Sequence, residues 1–337
     1  MKSYYVELID IGKSRLNEED IDIDNLMENE AIIKAEYSLI SAGTELSRAF
    51  GLKKGFSYPV RPGYSMVGKI IKKGSGLNLS EGDRVFVNAP HASLVRWKNG
   101  NQIQGPMILK LDDDINSLQA TIINLALVSL QGVNLSEVKL NNQVAVFGLG
   151  TLGLLTALMY KKMGCKVIGL DPIKQRCMLA KDLGIDYVID DNDQKEKIMK
   201  LTDEQGVDIA VDVTGLSKVI VDAAKSTKRY GQVLLLGSPR QDYECNITDF
   251  LSTIHMNNLK IIGAFNKTIP MNKVDGSNDN MMNNYKIVQD LIRNKDIDVS
   301  KIISDIVDPK DCQQAYYNLM HNKQISNCVV FDWRNYE

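Results

Sequence analysis

The sequence predicts an α/β chain in which a doubly wound parallel-sheet unit is joined to a β-rich, barrel-like unit. Three observations carry this expectation. From Val144 onward, short apolar, β-branched runs alternate with helical patterns, as expected for a parallel sheet covered by helices on both faces. Before Asp112, apolar and polar positions alternate between repeated Gly turns, the pattern of short antiparallel strands. At 337 residues the chain is also too long for one ordinary small domain. The expected division is 1–122 with 267–337 for the β-rich unit, and 123–266 for the parallel one.

Tyr5, Glu7 and Ile9, then Ala31, Ile33 and Ala35, alternate as half-buried antiparallel strands do. Small residues in SLISAGTELSRAFGL give way to a short helix with Thr44 as its cap. RPGYSMVGKIIKKGSGLNLSEGDRVFV reads as turn, strand, glycine loop and strand. Asp112 to Asp114 mark a helix entry, and Ser117 to Val133 carry one apolar helical pattern. Beyond Asp171 the order is helix Gln175 to Gly184, strand Tyr187 to Ile189, helix Gln194 to Gln205 and strand Asp208 to Val213. Helix Ser217 to Lys225, strand Gln232 to Leu236 and a last strand within Leu259 to Phe265 follow. A polar loop, 266–284, leads to helix Tyr285 to Asn294, a strand near Ile302 to Val307, helix Lys310 to Met320 and strand Cys328 to Asp332. That tail is too small to stand alone and is expected to complete the first unit.

The chemistry centres on Val144 to Asp171. A buried strand, Val144 to Phe147, is followed by Gly148, Gly150 and Gly153 in the spacing Gly-x-Gly-x-x-Gly. A helix then opens through Thr151 and Leu152, and a second strand ends on Asp171. The first glycine permits a tight turn, the second lets backbone approach a pyrophosphate, and the third lets helix pack closely on strand. The helix N-terminus offers free N–H groups and partial positive charge to the phosphates. Asp171 can accept the adenosine ribose hydroxyls and repels a 2′-phosphate, so NAD is the expected cofactor.

Composition narrows the partners. A net charge of -2 gives no electrostatic reason for nucleic acid or an anionic membrane. The five cysteines are scattered, with no Cys-x-x-Cys pair, as free thiols in a reducing compartment would be. The N-terminal stretch turns polar and acidic before a signal-peptide core forms, and no apolar run is long enough to span a bilayer. A soluble cytoplasmic protein with a small-molecule substrate is expected.

With these residues in view, the chain resembles the medium-chain dehydrogenase/reductase superfamily, the zinc-type alcohol and polyol dehydrogenases and their zinc-free relatives. GTEL at Gly43 to Leu46, PGYSMVGKIIKKGSG at Pro62 to Gly76, EGDRV at Glu81 to Val85 and the whole nucleotide unit carry the likeness. DPIKQRCMLAKDLGIDYVID (Asp171 to Asp190), VDVTG (Val211 to Gly215) and GQVLLLG (Gly231 to Gly237) extend it. The resemblance implies a Rossmann coenzyme domain beside a GroES-like catalytic domain. It also implies a homodimer or homotetramer paired through the last coenzyme-domain strand. The departures concern metal. Ala42, Tyr64 and Asn124 stand where zinc members place their ligands, and Asn88 to Lys98 lacks the cysteines of the structural zinc lobe. No metal is therefore expected.

Without a Lewis acid, a carbinol substrate needs a side chain to take its proton as hydride leaves. Tyr64 occupies a vacated ligand position and is the first candidate; a ring that fills the zinc's space is the alternative. Thr44 matches the family's proton-relaying hydroxyl. His91, in APHASLVRW, is a candidate acid/base or relay to solvent; a structural or exposed histidine is the alternative and the commoner case. Glu45 matches an acid behind the zinc and would orient Arg48 or Tyr64. Ser41 and Asn124 could bind a hydroxylated substrate. On the coenzyme side, Arg176 falls where the family places a base near the adenosine, while Thr214, Gly237, Ser238 and Phe265 lie at strand ends as nicotinamide-side contacts. The expected function is NAD-dependent oxidation of a secondary hydroxyl, or reduction of its ketone, in a sugar, polyol or similar metabolite. An enoyl or quinone reductase and a catalytically silent nucleotide-binding protein are the alternatives, and Asp171 counts against the first of these.

Overall fold

A computed structural model describes residues 1–52, 55–99, 107–190, 193–265, 269–272 and 280–336. The chain divides into two compact units. The first comprises Met1–Asn124, Gln289–Lys295 and Ile303 onward; the second comprises Leu125–Val288 and Asp296–Ile302. The expected return at residue 267 lies outside the described residues, but the chain rejoins the first unit only at Gln289 and leaves it again over Asp296–Ile302.

In the first unit the strands are β1 (Lys2–Asp10), β2 (Lys13–Asp20), β3 (Glu30–Leu39), β4 (Met66–Lys73), β5 (Arg84–Val87), β6 (Leu94–Lys98) and β7 (Ile108–Lys110). β1 and β2 pair as an antiparallel hairpin. The larger sheet centres on β3, which pairs antiparallel with both β4 and β6, and β4 continues through β5 to β7. Central placement overrides the alternating pattern: β3 was expected to be half-buried, but its Ala31, Ile32, Ile33, Ala35 and Leu39 are all buried. The helix after β3 spans Ala42–Ala49 and starts from Ser41. Thr44 is therefore inside its first turn rather than capping it.

The parallel unit contains β8 (Gln143–Phe147), β9 (Lys166–Leu170), β10 (Tyr187–Ile189), β11 (Val207–Asp212), β12 (Thr227–Leu235) and β13 (Lys260–Gly263). Their order across the sheet, β10-β9-β8-β11-β12-β13, reverses direction between β8 and β11. Ligands bind open α/β sheets at such a switch point, beyond the carboxyl ends of the strands. Ala145, Ile168, Ala210 and Val233 lie fully buried beneath the helices. Full burial of a Val- or Ile-sized side chain contributes about 1.5–3 kcal/mol, so the sheet fixes the strand ends on which the loops stand.

Three local expectations change. The single helix expected over Ser117 to Val133 is two, Ser117–Ala120 and Ile123–Leu135. The Asn116 side chain, not Asp112 to Asp114, caps the first by accepting from Leu118 N and Gln119 N, and the Thr121 hydroxyl takes the Leu118 carbonyl at the break. A helix absent from the expected order, Ile247–Asn257, is capped by Asn246 and stopped by left-handed Asn258. Near Ile302 a short helix, Val299–Ile302, precedes the strand. That strand, β14 (Asp305–Val307), pairs with β15 (Val329–Asp332), and β15 pairs with β3, so the tail completes the first unit's sheet.

Candidate functional site

The chain leaves β8 through Gly148, at φ 99°, where a Cβ would stand 2.9 Å from Thr214 Cγ2. A Cβ on Gly153 would lie 1.8 Å from the Gly148 carbonyl oxygen. Both glycines are thus demanded by close approach, as a dinucleotide fingerprint requires. The helix Thr151–Lys162 begins at Gly150, which supplies no side-chain cap, and Thr151 and Leu152 form its first turn. An uncapped helix start of this kind suits a diphosphate.

Asp171 ties this loop to the end of β9. Its buried carboxylate accepts from Leu149 N at 2.8 Å and Ile173 N at 2.9 Å, and Arg176 Nη1 lies 3.4 Å away. A carboxylate offers about four acceptor sites, so roughly one remains for a ribose hydroxyl. The two-hydroxyl grip expected from sequence is narrower here because the loop itself uses the acid. Arg176 flanks that acid directly.

Around the ends of β11 and β12, Asp212 organises the next loop. Its buried carboxylate accepts from Thr214 N and Gly215 N and from the Thr214 hydroxyl at 2.6 Å. Burial raises the Asp212 pKa, against these hydrogen bonds and the Arg240 charge. The Thr214 hydroxyl also accepts from Leu216 N, so it is committed within the loop, and the methyl faces Gly148. Gly237 donates its N–H to the Asp212 carbonyl, and Ser238 lies against Gly215. Phe265 is 56% exposed, two residues beyond β13. Sequence reasoning missed Asp212, although an Asp two residues before Thr at a strand end is the signal of a side chain closing its own turn.

In the first unit, Tyr64 is half-buried and its hydroxyl donates to Ser41 Oγ, with Thr44 Oγ1 at 3.3 Å. Burial pushes the phenol above its ordinary value; the Ser41 and Thr44 hydrogen bonds and the Arg48 charge oppose this, while the Glu45 charge adds to it. Thr44 is exposed, so it connects the cluster to solvent. Asn88 Nδ2 donates to the Tyr64 carbonyl and fixes the backbone behind the ring. Asn124 is buried near the start of the helix Ile123–Leu135, outside this hydrogen-bonded group.

His91 and Glu45 take other roles than those expected. His91 is fully buried, with Nδ1 2.7 Å from Ser38 Oγ and Nε2 3.0 Å from Glu45 Oε2. Trp333 Nε1 can only donate, and it donates to the same Ser38 oxygen at 2.8 Å. The Glu45 carboxylate can only accept, so His91 Nε2–H faces it, while the Ser38 oxygen, with two acceptor sites and one proton, can meet His91 Nδ1 in either direction. A side chain so enclosed does not pass protons to solvent, so the relay expected of His91 is corrected. Glu45 orients neither Arg48 nor Tyr64 directly: it accepts from Ser41 N at 2.7 Å, from His91 and from the Tyr316 hydroxyl at 2.6 Å. Ser38, Tyr316 and Trp333 carry no local signal of this network, because the bonds that enlist them are long-range.

The zinc-ligand positions hold Ala42, Tyr64 and Asn124. Among the described residues, no three His, Cys, Asp or Glu side chains converge as a metal site would need. This donor set does not suit zinc. No helix among the described residues is long and apolar enough to cross a membrane.

Residues 151–276 match the family described as zinc-binding dehydrogenase. The chain is 25% identical over 220 residues to an uncharacterized zinc-type alcohol dehydrogenase-like protein of Escherichia coli, covering 64% of this chain and 57% of that protein. It thus spans little more than half of that relative. It is 26% identical over 273 residues to an alcohol dehydrogenase of Geobacillus stearothermophilus, covering 70% of this chain and 78% of that one. Galactitol-1-phosphate dehydrogenase from Escherichia coli shares the fold, with TM-score 0.82 at 18% identity over 98% of this chain and 99% of that one.

Proposed function

This chain belongs to the medium-chain dehydrogenase/reductase superfamily, and on that footing we propose that it is a zinc-independent oxidoreductase acting between NAD(H) and a secondary alcohol or its ketone in a sugar, polyol or similar polar metabolite. The observation that carries the reading is Tyr64, a phenol bonded to the Ser41 hydroxyl and within reach of Thr44, at a position where zinc relatives keep a metal ligand.

Bound NAD(H) supplies the hydride acceptor or donor. The glycine loop and the uncapped helix start at Gly150 would hold its diphosphate, and Asp171 would take a ribose hydroxyl. In the reducing direction Tyr64 would donate its proton to the substrate's carbonyl oxygen, and Thr44 would return a proton to the phenol from solvent. Oxidation runs the same transfers backward. Burial keeps the phenol protonated at neutral pH, which suits it first to the role of acid. Asp171 favours NAD through repulsion of a 2′-phosphate, and Arg176 beside it sets how strongly.

Turnover assays with NAD(H) and NADP(H) over polyols and ketones, beside enones and quinones, test this reading in the presence and absence of a strong chelator. Chelator-resistant activity on secondary alcohols or ketones is expected. Activity confined to enones and quinones would replace it with C=C reduction, and loss of activity with stoichiometric zinc would remove the role given to Tyr64.

A further inference from the structure

Arg48 stands out among the arginines of the first unit. Arg15, Arg61, Arg96, Arg293 and Arg334 each pair with a carboxylate, and Arg84 is held by backbone carbonyls and the Ser117 hydroxyl. Among the described residues Arg48 has no such partner. Its guanidinium lies 4.9 Å from the centroid of the Phe56 ring, and its Nε is buried without a hydrogen bond. The nearest acid in sequence, Glu45, is already committed to Ser41 N, His91 and Tyr316.

A half-buried guanidinium without an anion is costly, because water is partly removed from the charge and only the face of the Phe56 ring stands in for it. Its position says what could. Arg48 is one helical turn beyond Thr44 in Ala42–Ala49, so the two share a helix face, and Thr44 Oγ1 is 3.3 Å from the Tyr64 hydroxyl. The Arg48 charge also acts to lower the Tyr64 pKa, as a cation close to the phenol does. The planar guanidinium fork matches the paired oxygens of a phosphate or carboxylate.

We propose that Arg48 is a substrate-specificity residue that binds an anionic oxygen group, phosphate or carboxylate, on a hydroxylated substrate whose reacting hydroxyl or carbonyl lies at Tyr64. The proposal rests on the dehydrogenase reading for the identity of the reacting group and adds the substrate's charge.

The test is calorimetric titration of the protein with saturating NADH, using sorbitol, sorbitol 6-phosphate, gluconate and inorganic phosphate, for wild type, Arg48→Gln and Arg48→Lys. Charge-assisted bonds of this type predict that sorbitol 6-phosphate or gluconate binds about 10- to 100-fold more tightly than sorbitol. The two anionic arms separate phosphate from carboxylate recognition. Arg48→Gln should collapse the ratio, and Arg48→Lys should keep part of it, since an ammonium keeps the charge but not the fork. An unchanged thermal midpoint shows that each variant is folded. Equal binding of neutral and anionic ligands, no anionic probe bound at millimolar concentration, or a ratio that survives in Arg48→Gln overturns the proposal. So does an equal loss of NADH affinity in Arg48→Gln, which would give Arg48 to the coenzyme's phosphates. Turnover rates separate the two readings. Anion preference without turnover of any polyol upholds Arg48 and removes the dehydrogenase; turnover of sorbitol without anion preference does the reverse.

Discussion

Tyr316 and Glu45, 271 positions apart, share a buried hydrogen bond of 2.6 Å. Glu45 is one turn into the helix Ala42–Ala49, and its other oxygen reaches back to the Ser41 N–H at the helix start. His91, held in turn by Ser38 and Trp333, completes the enclosure. The acid therefore anchors, from behind, the helix start on which Ser41 and Thr44 meet Tyr64. It is a positioning residue, separated from the phenol by the backbone it holds.

Removing Glu45 should cost stability first. Glu45→Ala leaves His91 and Tyr316 buried without their shared acceptor, and breaking a buried pair of this kind costs about 3–5 kcal/mol. Tyr316→Phe removes a single donor to the carboxylate and should cost about 1.5–3 kcal/mol. Urea unfolding monitored by tryptophan fluorescence checks both. A loss below 1 kcal/mol in Glu45→Ala, counted as about the value of an exposed ion pair, would show that water reaches the site.

Tyr64 gives a kinetic prediction with a defined pH direction. Tyr64→Phe should keep NADH affinity and lower turnover by about two to four orders of magnitude, the usual range for a lost general acid or base. Burial raises the phenol above its ordinary value of 10.0, and the protonated form is the one that serves reduction. Ketone reduction should therefore be flat through neutral pH and fall only as pH rises beyond that ordinary value, with the fall absent in Tyr64→Phe. Stopped-flow hydride transfer on each side of this window tests it, and turnover unchanged in the Phe variant would make Tyr64 a ring that fills space.

The parallel unit was largely legible because its information is local. Three glycines, an apolar run on each side and an acid at the second strand's end lie within 28 residues, Val144 to Asp171, and each reports its own backbone requirement. The polar cluster was legible only in part. Tyr64, Thr44 and Ser41 could be placed together because they occupy two short motifs, but the partners of Glu45 could not be read. Tyr316 and Trp333 enter through strand and helix packing at the far end of the chain. Nor could the choice for His91 between relay and structural residue be made from sequence, because the structural reading is decided by Phe331, edge-on against it with ring centroids 5.0 Å apart. The β3 pattern failed because alternation reports one wet face, and β3 has strands on both sides and cover above and below.

Coenzyme choice should depend on the Asp171–Arg176 contact. Asp171→Asn retains an acceptor oxygen and removes the charge, so NADPH affinity should rise relative to NADH by about tenfold or more, the worth of roughly one pKa unit of charge interaction. Arg176, released from the carboxylate, would add to the gain by pairing with the 2′-phosphate. Fluorescence titration with both coenzymes measures the ratio. If wild type binds the two equally, Arg176 already offsets the acid, and Arg176→Ala should then restore preference for NADH.

The edge of the parallel sheet supports an expectation about assembly. Among the described residues β13 pairs with β12 on one side only, and its Ile261 is 37% exposed, while a Cβ at Gly263 would meet nothing within 4 Å. Beside it in sequence, the helix Ile247–Asn257 buries none of its residues and exposes Ile247, Leu251 and Met256. An unpaired apolar strand edge recruits other chains indiscriminately unless something covers it, and a two-fold partner covers it with the same strand from a second copy. A homodimer or a tetramer built from it is expected, with β13 meeting β13. Ile261→Lys should shift the mass measured by light scattering at micromolar concentration toward the monomer, because a charge then faces its own copy across the two-fold axis. Wild type that is monomeric under the same conditions would refute the assignment, and an oligomer indifferent to Ile261→Lys would move the interface away from this edge.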